Sequence, residues 1–266
     1  MAKLVQKSGY IKSGKASGYM RYIATREGVE KLAGNGAVTK GQRELIQKLL
    51  TDFPDAVELF EYEDYCKTPT LGTASAFITM ALDANLHGID SESGYMQYIA
   101  TRPRVQKHGS HGLFSSSTSV DLASAMSELE SHEGNVWTII YSLRREDAAR
   151  LEFDNADAWR TLLMENAPTL AKSMKISLDN FHWYAAFHDE GHHPHIHMMV
   201  WSDDPKEGFL TKDGIAAMRS KLTNAIFRDE MQQIYERKDV AYSDLVEAAQ
   251  NAMREMISRM QHQICD

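Results

Sequence analysis

Cysteine is nearly absent: Cys66 and Cys265 are the only two in 266 residues. Two thiols cannot build a disulfide framework and no CxxC pair is present, so a reducing cytoplasm is the expected compartment. Long hydrophobic runs are missing as well. No stretch approaches the ~18 apolar residues of a membrane span, so insertion into a membrane is not expected. The opening residues, Met-Ala-Lys-Leu-Val-Gln-Lys, lack the apolar core of a signal peptide. Nor is there an excess of positive charge: 29 Lys and Arg stand against 37 Asp and Glu, a formal net charge of −8. That argues mildly against nucleic acid, because phosphate binding rests on Lys and Arg. It does not exclude it, since a local basic stripe can coexist with an acidic remainder and a divalent metal supplies positive charge where chemistry occurs. Such a stripe exists: Lys3, Lys7, Lys12, Lys15, Arg21 and Arg26 all precede the first acidic residue, Glu27.

What is present is the balance of a folded protein, 43% hydrophobic and 25% charged, long enough for one large domain or a domain with extensions. One internal repeat stands out. Gly18 to Leu32 reads GYMRYIATREGVEKL and Gly94 to His108 reads GYMQYIATRPRVQKH. A single recurrence is not a solenoid and points to a duplicated local element. The pattern predicts a strand over Lys3 to Ile11, a helix capped by Ser17, and helices over Lys40 to Thr51 and Pro69 to Asn85. Phe53 to Cys66 is acidic and aromatic and reads as a connector or a solvated face. Gly109 to Thr118 reads as a Gly/Ser loop. Further on, a helix is predicted over Leu122 to Ser131 and a buried strand over Val136 to Leu143. A mostly helical stretch follows from Arg145 to Met174, broken at Pro168. Strands are expected over Phe181 to Phe187 and Pro194 to Trp201, joined by a turn. Long amphipathic helices are expected over Thr211 to Glu236 and Tyr242 to Met260. The domain reading is a catalytic domain over 1–236 and a C-terminal helix over 237–266.

The sharpest local signal is FHDEGHHPHIHMMVW, from Phe187 to Trp201. Successive strand side chains point to opposite faces, so His195 and His197 share a face. His188 ends the preceding strand, and a tight reversal brings it beside them. Three imidazoles converging from a hairpin make a metal site with positions left open for substrate oxygens. His192 and His193 fall in the turn, either solvated or touching a nucleic acid. Asp189 and Glu190 are candidates to orient an imidazole or act in acid–base chemistry, and Glu190 is also a candidate ligand. Strand transfer also needs a nucleophile that becomes a covalent holder. Tyr22 lies one helical turn after Tyr19, with Arg21 and Arg26 nearby to pair with phosphate. By spacing alone, aromatics at i and i+3 are more often core than catalytic.

The Tyr-Ile pair at Tyr22, followed far downstream by His-x5-Pro-His-x-His, resembles the conjugative and mobilisation relaxases of the HUH endonuclease superfamily, specifically the MobP type. The segments WTIIYSLRREDAARL and WYAAFHDEGHHPHIHMMVWSDDPKEGFLTKDGI, with the paired YIATR elements, resemble the MobP relaxases of Gram-positive mobile elements. The resemblance covers Met1 to about Tyr235. It implies an α+β fold, a central antiparallel sheet flanked by helices with a helical C-terminal part. It implies that His188, His195 and His197 hold a divalent ion, Mg²⁺ or Mn²⁺, and that Tyr22 is the nucleophile. The duplication departs from the family pattern and leaves Tyr98, Tyr95 and Tyr19 as rivals. The chain also stops at Asp266, where family members often continue, so it is expected to be a domain or a short member.

The reaction so implied is metal-dependent, strand-specific nicking of single-stranded origin-of-transfer DNA by transesterification, through a 5′-phosphotyrosine link that can reverse to religate the strand. The expected partners are that DNA, accessory relaxosome proteins and a coupling protein. Aromatics that stack unpaired bases are expected, with Trp183, Tyr184 and Trp201 as candidates. Three rivals remain at this point. HPHIHMM at His193 to Met199 fits a histidine-triad nucleotide hydrolase, which needs no metal. A replication initiator or transposase runs the same HUH chemistry. A binding module without a nucleophile would not capture DNA covalently.

Overall fold

The computed structural model describes residues 3–10, 36–85, 92–101, 105–107, 109–116, 119–130, 132–189 and 193–263. At its centre is a five-stranded sheet in the order β1-β3-β5-β4-β2, every neighbouring pair antiparallel. The strands are β1 (Val5–Tyr10), β2 (Leu113–Phe114), β3 (Trp137–Ser142), β4 (Phe181–His188) and β5 (His195–Ser202). Helices flank the sheet and continue into a helical C-terminal region, so the fold is α+β. β3 and β4 are rich in aromatic and β-branched residues, which suit a pleated surface. β5 is buried along its whole length. The two strands that carry the histidines are therefore interior to the sheet.

The helices of the first half are α1 (Lys40–Asp52), α2 (Phe60–Lys67), α3 (Leu71–Asn85), α4 (Glu92–Thr101) and α5 (Leu122–Glu130). α1 begins at a complete capping box, in which the Thr39 side chain accepts from the Gln42 N–H and the Gln42 side chain accepts from the Thr39 N–H. Between α1 and α2 lies a 3₁₀ turn, Pro54–Glu58. The segment expected to be a connector or solvated face is thus two short helices. Ala56, Leu59 and Phe60 are at most 1% exposed, because apolar residues spaced by three or four turn one side into the core, and Glu61 beside them is buried as well.

Cross-strand register divides the sheet into two faces. Val5, Ile140, Ser142, His195, His197, Met199, Trp201, His188, Ala186 and Tyr184 share one of them. Over its β1–β3 side, Val5 and Ile140 join a core made with α1, α2 and α3. Over its β4–β5 side, Ala186, Met199 and Trp201 join a core with α4 and α5. His197 lies between Ile140 and Ala186 in register, on the seam between these two groups of helices.

Beyond β3 come α6 (Arg145–Arg150) and α7 (Ala156–Ser173), with a 3₁₀ turn, Leu178–Asn180, leading into β4. The break expected at Pro168 lies instead at Leu151 to Asn155, and α7 runs through the proline. Trp159, Leu162 and Leu163 before it and Leu170 and Ala171 after it are buried, and packing on both sides outweighs the lost backbone bond. The chain divides into two compact units, Met1–Thr223 and Asn224–Asp266. The helices expected over 211–236 and 242–260 are divided differently. α8 (Lys212–Ile226) ends before Phe227, and α9 (Arg228–Gln263) then runs unbroken for 36 residues. Among the described residues no helix is long and apolar enough to cross a membrane.

Candidate metal centre

The β4–β5 hairpin aligns His188 directly opposite His195 and Ala186 opposite His197. Paired strand positions share a face, so all three imidazoles stand on the same side. Their ring centroids are 5.2 Å apart for His188 and His195, 4.7 Å for His188 and His197, and 5.0 Å for His195 and His197. One ligating nitrogen from each lies within 4.8 Å of the others. The three side chains are no more than 1% exposed. A set of neutral nitrogens is what a divalent ion takes.

Backbone carbonyls orient two of the rings. His188 Nε2 lies 2.9 Å from the carbonyl of Ile99, and His195 Nδ1 lies 3.0 Å from the carbonyl of His193. A carbonyl only accepts, so the facing nitrogen carries the proton and the other nitrogen of each ring keeps its lone pair. The residues present therefore fit a divalent ion held by His188, His195 and His197.

His193, expected in an open turn, is 5% exposed and docked. Its ring stacks on Phe60 of α2, with centroids 5.2 Å apart and planes 25° from parallel, and its Nε2 meets Asp64 Oδ2 at 2.7 Å. Arg144, just after β3, lies 4.7 Å over the Phe60 ring and bridges Glu63 at 3.0 Å and Asp64 at 3.3 Å. Lys3 closes the network through Glu63 at 2.7 Å. Partial burial pushes the Asp64 carboxyl up, but the hydrogen bonds and charges of His193 and Arg144 outweigh it, and the group sits below the usual aspartate range. Asp64, Glu63 and Arg144 were not singled out from the sequence, and Lys3 was noted there only as part of the basic N-terminal stretch. The available signal was the helical spacing of Leu59 and Phe60 against Glu63 and Asp64.

The other candidates are distributed as follows. Asp189 meets Arg145 in an ion pair at the surface, a contact that orients none of the three histidines. Trp183 lies on the opposite sheet face, 7% exposed and edge-on to Phe114. Trp201 lies on the histidine face, four positions beyond His197. Tyr19, Tyr22, Arg21, Arg26, Glu190 and His192 fall outside the described residues. Tyr95 and Tyr98 belong to α4, the second copy of the repeated element. The backbone of that copy reaches the centre twice. Ile99 supplies the carbonyl facing His188, and Val105 forms an isolated bridge with His188.

A family model described as MobL relaxases matches residues 1–266 of this chain. The comparisons with curated proteins and with solved structures return no match.

Proposed function

The chain belongs to the MobL relaxases, DNA-nicking enzymes of mobilisation, and on that premise we propose that it cuts and rejoins single-stranded origin-of-transfer DNA at a metal centre formed by His188, His195 and His197. The observation that carries the proposal is the buried, carbonyl-oriented histidine triad, in a chain whose whole length matches a relaxase family. The match favours this reading over a histidine-triad hydrolase. The spacing of the motifs supports the finer placement among MobP-type relaxases of Gram-positive elements.

A divalent ion such as Mg²⁺ or Mn²⁺ at the triad would withdraw charge from the oxygens of the scissile phosphate. The phenol oxygen of Tyr22 attacks the phosphorus, the P–O3′ bond breaks, and the 3′ oxygen leaves as a hydroxyl. The 5′ phosphate stays on the tyrosine, and attack by a 3′-OH reverses the step. One phosphoester replaces another, so no nucleotide is consumed. Arg21 and Arg26 would pair with the strand's phosphates; of the two aromatic candidates for DNA contact, Trp201 shares the histidine face, whereas Trp183 is buried on the other. Tyr22 is favoured by its distance from the N-terminus and by Arg21 beside it, where the second copy has Gln97. A second reading, Tyr98, is favoured by one observation: the next residue, Ile99, faces His188 through its carbonyl. Accessory relaxosome proteins and a coupling protein are the partners this role requires.

The test is incubation with single-stranded origin DNA and Mn²⁺, denaturing electrophoresis, and tryptic mapping of the DNA-linked peptide. The expected adduct sits on Tyr22–Arg26, which trypsin separates from Tyr19. An adduct on the peptide ending at Arg104 moves the nucleophile to the second copy. Cleavage that persists in EDTA, or that leaves no covalent adduct, overturns the proposal.

A further inference from the structure

The histidine face of the sheet carries a second feature, at the far end of β5. A cavity of about 410 Å³ opens there, lined by Glu128, His132, Glu133, His182, Trp201 and Asp203 among others. His182 and Trp201 are directly opposite each other in register, on the same face as His188 and His195. The Trp201 ring lies 5.8 Å from that of His182 and 16° from parallel, and 5.6 Å from that of Tyr184 at 28°. His132 stands 6.3 Å from Trp201. Asp203 meets His182 Nε2 at 2.7 Å, and Tyr184 donates to Glu128 at 3.1 Å.

We propose that this cavity is a recognition subsite for one unpaired nucleobase of the DNA strand, and that it selects a base bearing an exocyclic amine. The inference rests on the relaxase reading and assigns that activity a place where sequence is read. Three properties point the same way. Trp201 is buried within the ring ladder, and His182 stacked on it is the member that offers flat π surface to an unpaired base. The volume falls in the range of small-molecule pockets and is ample for a single base. The polar lining is dominated by Glu128, Glu133 and Asp203, which repel a phosphate and accept hydrogen bonds from an amine such as cytosine N4. Thymine has no exocyclic amine and would turn carbonyl oxygens toward carboxylates. Four strand positions separate Trp201 from His197, about 13 Å, so the base read lies a few nucleotides from the phosphate that is cut.

The test uses the full chain in EDTA, so that no strand is cut, and fluorescence anisotropy with labelled short homopolymers of deoxycytidine and of thymidine. Deoxycytidine should bind about tenfold more tightly, the discrimination expected of one well-placed base contact. His182→Ala, at a partly exposed position, should lower deoxycytidine affinity about tenfold through lost stacking. The double variant Glu128→Gln and Glu133→Gln should shrink the preference over thymidine. Equal binding of the two homopolymers by the native chain overturns the subsite and leaves the relaxase reading standing. Binding of neither strand overturns both.

Discussion

Asp64 precedes His193 by 129 residues, yet it is the acid that meets the connection between the two strands carrying the histidine triad. Its contact is indirect: it holds His193, and the His193 carbonyl holds His195. Asp64→Ala is expected to weaken Mn²⁺ binding about tenfold, at the low end of effects from outer partners of ligand histidines, because it acts through a backbone carbonyl. Asp64→Asn, whose side-chain oxygen still accepts from His193, should restore most of that loss in calorimetric titration. If alanine and asparagine weaken binding equally, charge rather than placement is at work. Removing a ligand is more severe. His195→Ala should abolish both Mn²⁺ binding and cleavage. Its melting temperature should fall too, since His195 is fully buried, so metal stoichiometry is the readout to follow.

Gly112 sits where the chain between α4 and β2 crosses the segment that bridges to His188. Its N–H donates to the Ala100 carbonyl at 2.8 Å, and a Cβ placed there would lie 2.2 Å from Val105 Cγ2 and 2.8 Å from the Gln106 carbonyl. Gly112→Ala must therefore displace the Val105 segment, at a cost of about 1–3 kcal/mol readable as a lower denaturant midpoint. Cleavage should fall with it, because the same segment pairs with β4 at His188 and Phe187. At the other end of the sheet, Glu207 ties the last residue of β5 to the turn before β4. It accepts from the Ser202 hydroxyl at 2.7 Å, the Ser177 N–H at 3.1 Å and the Asn180 amide at 3.3 Å. The Ser202 hydrogen bond leads the effects that hold its carboxyl below the ordinary glutamate value of 4.5; desolvation opposes them, and Ser177 and Asn180 assist. A group whose folded pKa is depressed stabilises above its unfolded pKa and loses that contribution as pH falls through the folded value. Glu207→Gln should therefore lower the melting temperature at pH 7. The gap to the native chain should close on acidification below about pH 4.5. A gap that is constant across this range means that the carboxylate is not the source.

A formal charge of −8 sets the background against which the molecule meets a polyanion. Of the six basic residues that precede Glu27, two are held in ion pairs, one at the surface and one buried. Lys3 pairs with Glu63, and Lys7, only 5% exposed, pairs with Asp55. Neither pair leaves its cation to a phosphate without breaking. Lys12, Lys15, Arg21 and Arg26 are the remaining four of that stretch. If they supply the strand contacts, log affinity for single-stranded DNA should fall against log salt with a slope of about −3, rather than the −4 that six contacts would give. Anisotropy titrations across a salt series measure this directly, and a flat dependence would rule out an electrostatic grip by this segment.

The elements that rest on local pattern were legible in the chain itself: the strand pair around His188 and His195, the helix from Lys40, and the shared face of His195 and His197. Side-chain alternation and capping chemistry act over a few residues, and a linear reading reaches that far. The α+β architecture was legible only through the family resemblance. The sheet order β1-β3-β5-β4-β2 was not, because it depends on pairings between strands far apart in sequence. The same holds for the network around Asp64. The sequence shows an acidic, aromatic stretch there, and only packing decides that Phe60 turns inward beneath His193 and Arg144. Pro168 shows the converse case, a strong local signal overruled by buried neighbours on both sides. Which carbonyl faces which imbidazole nitrogen, and hence which lone pairs converge, is likewise a matter of tertiary contact. Such contacts join segments that the chain's own order keeps apart.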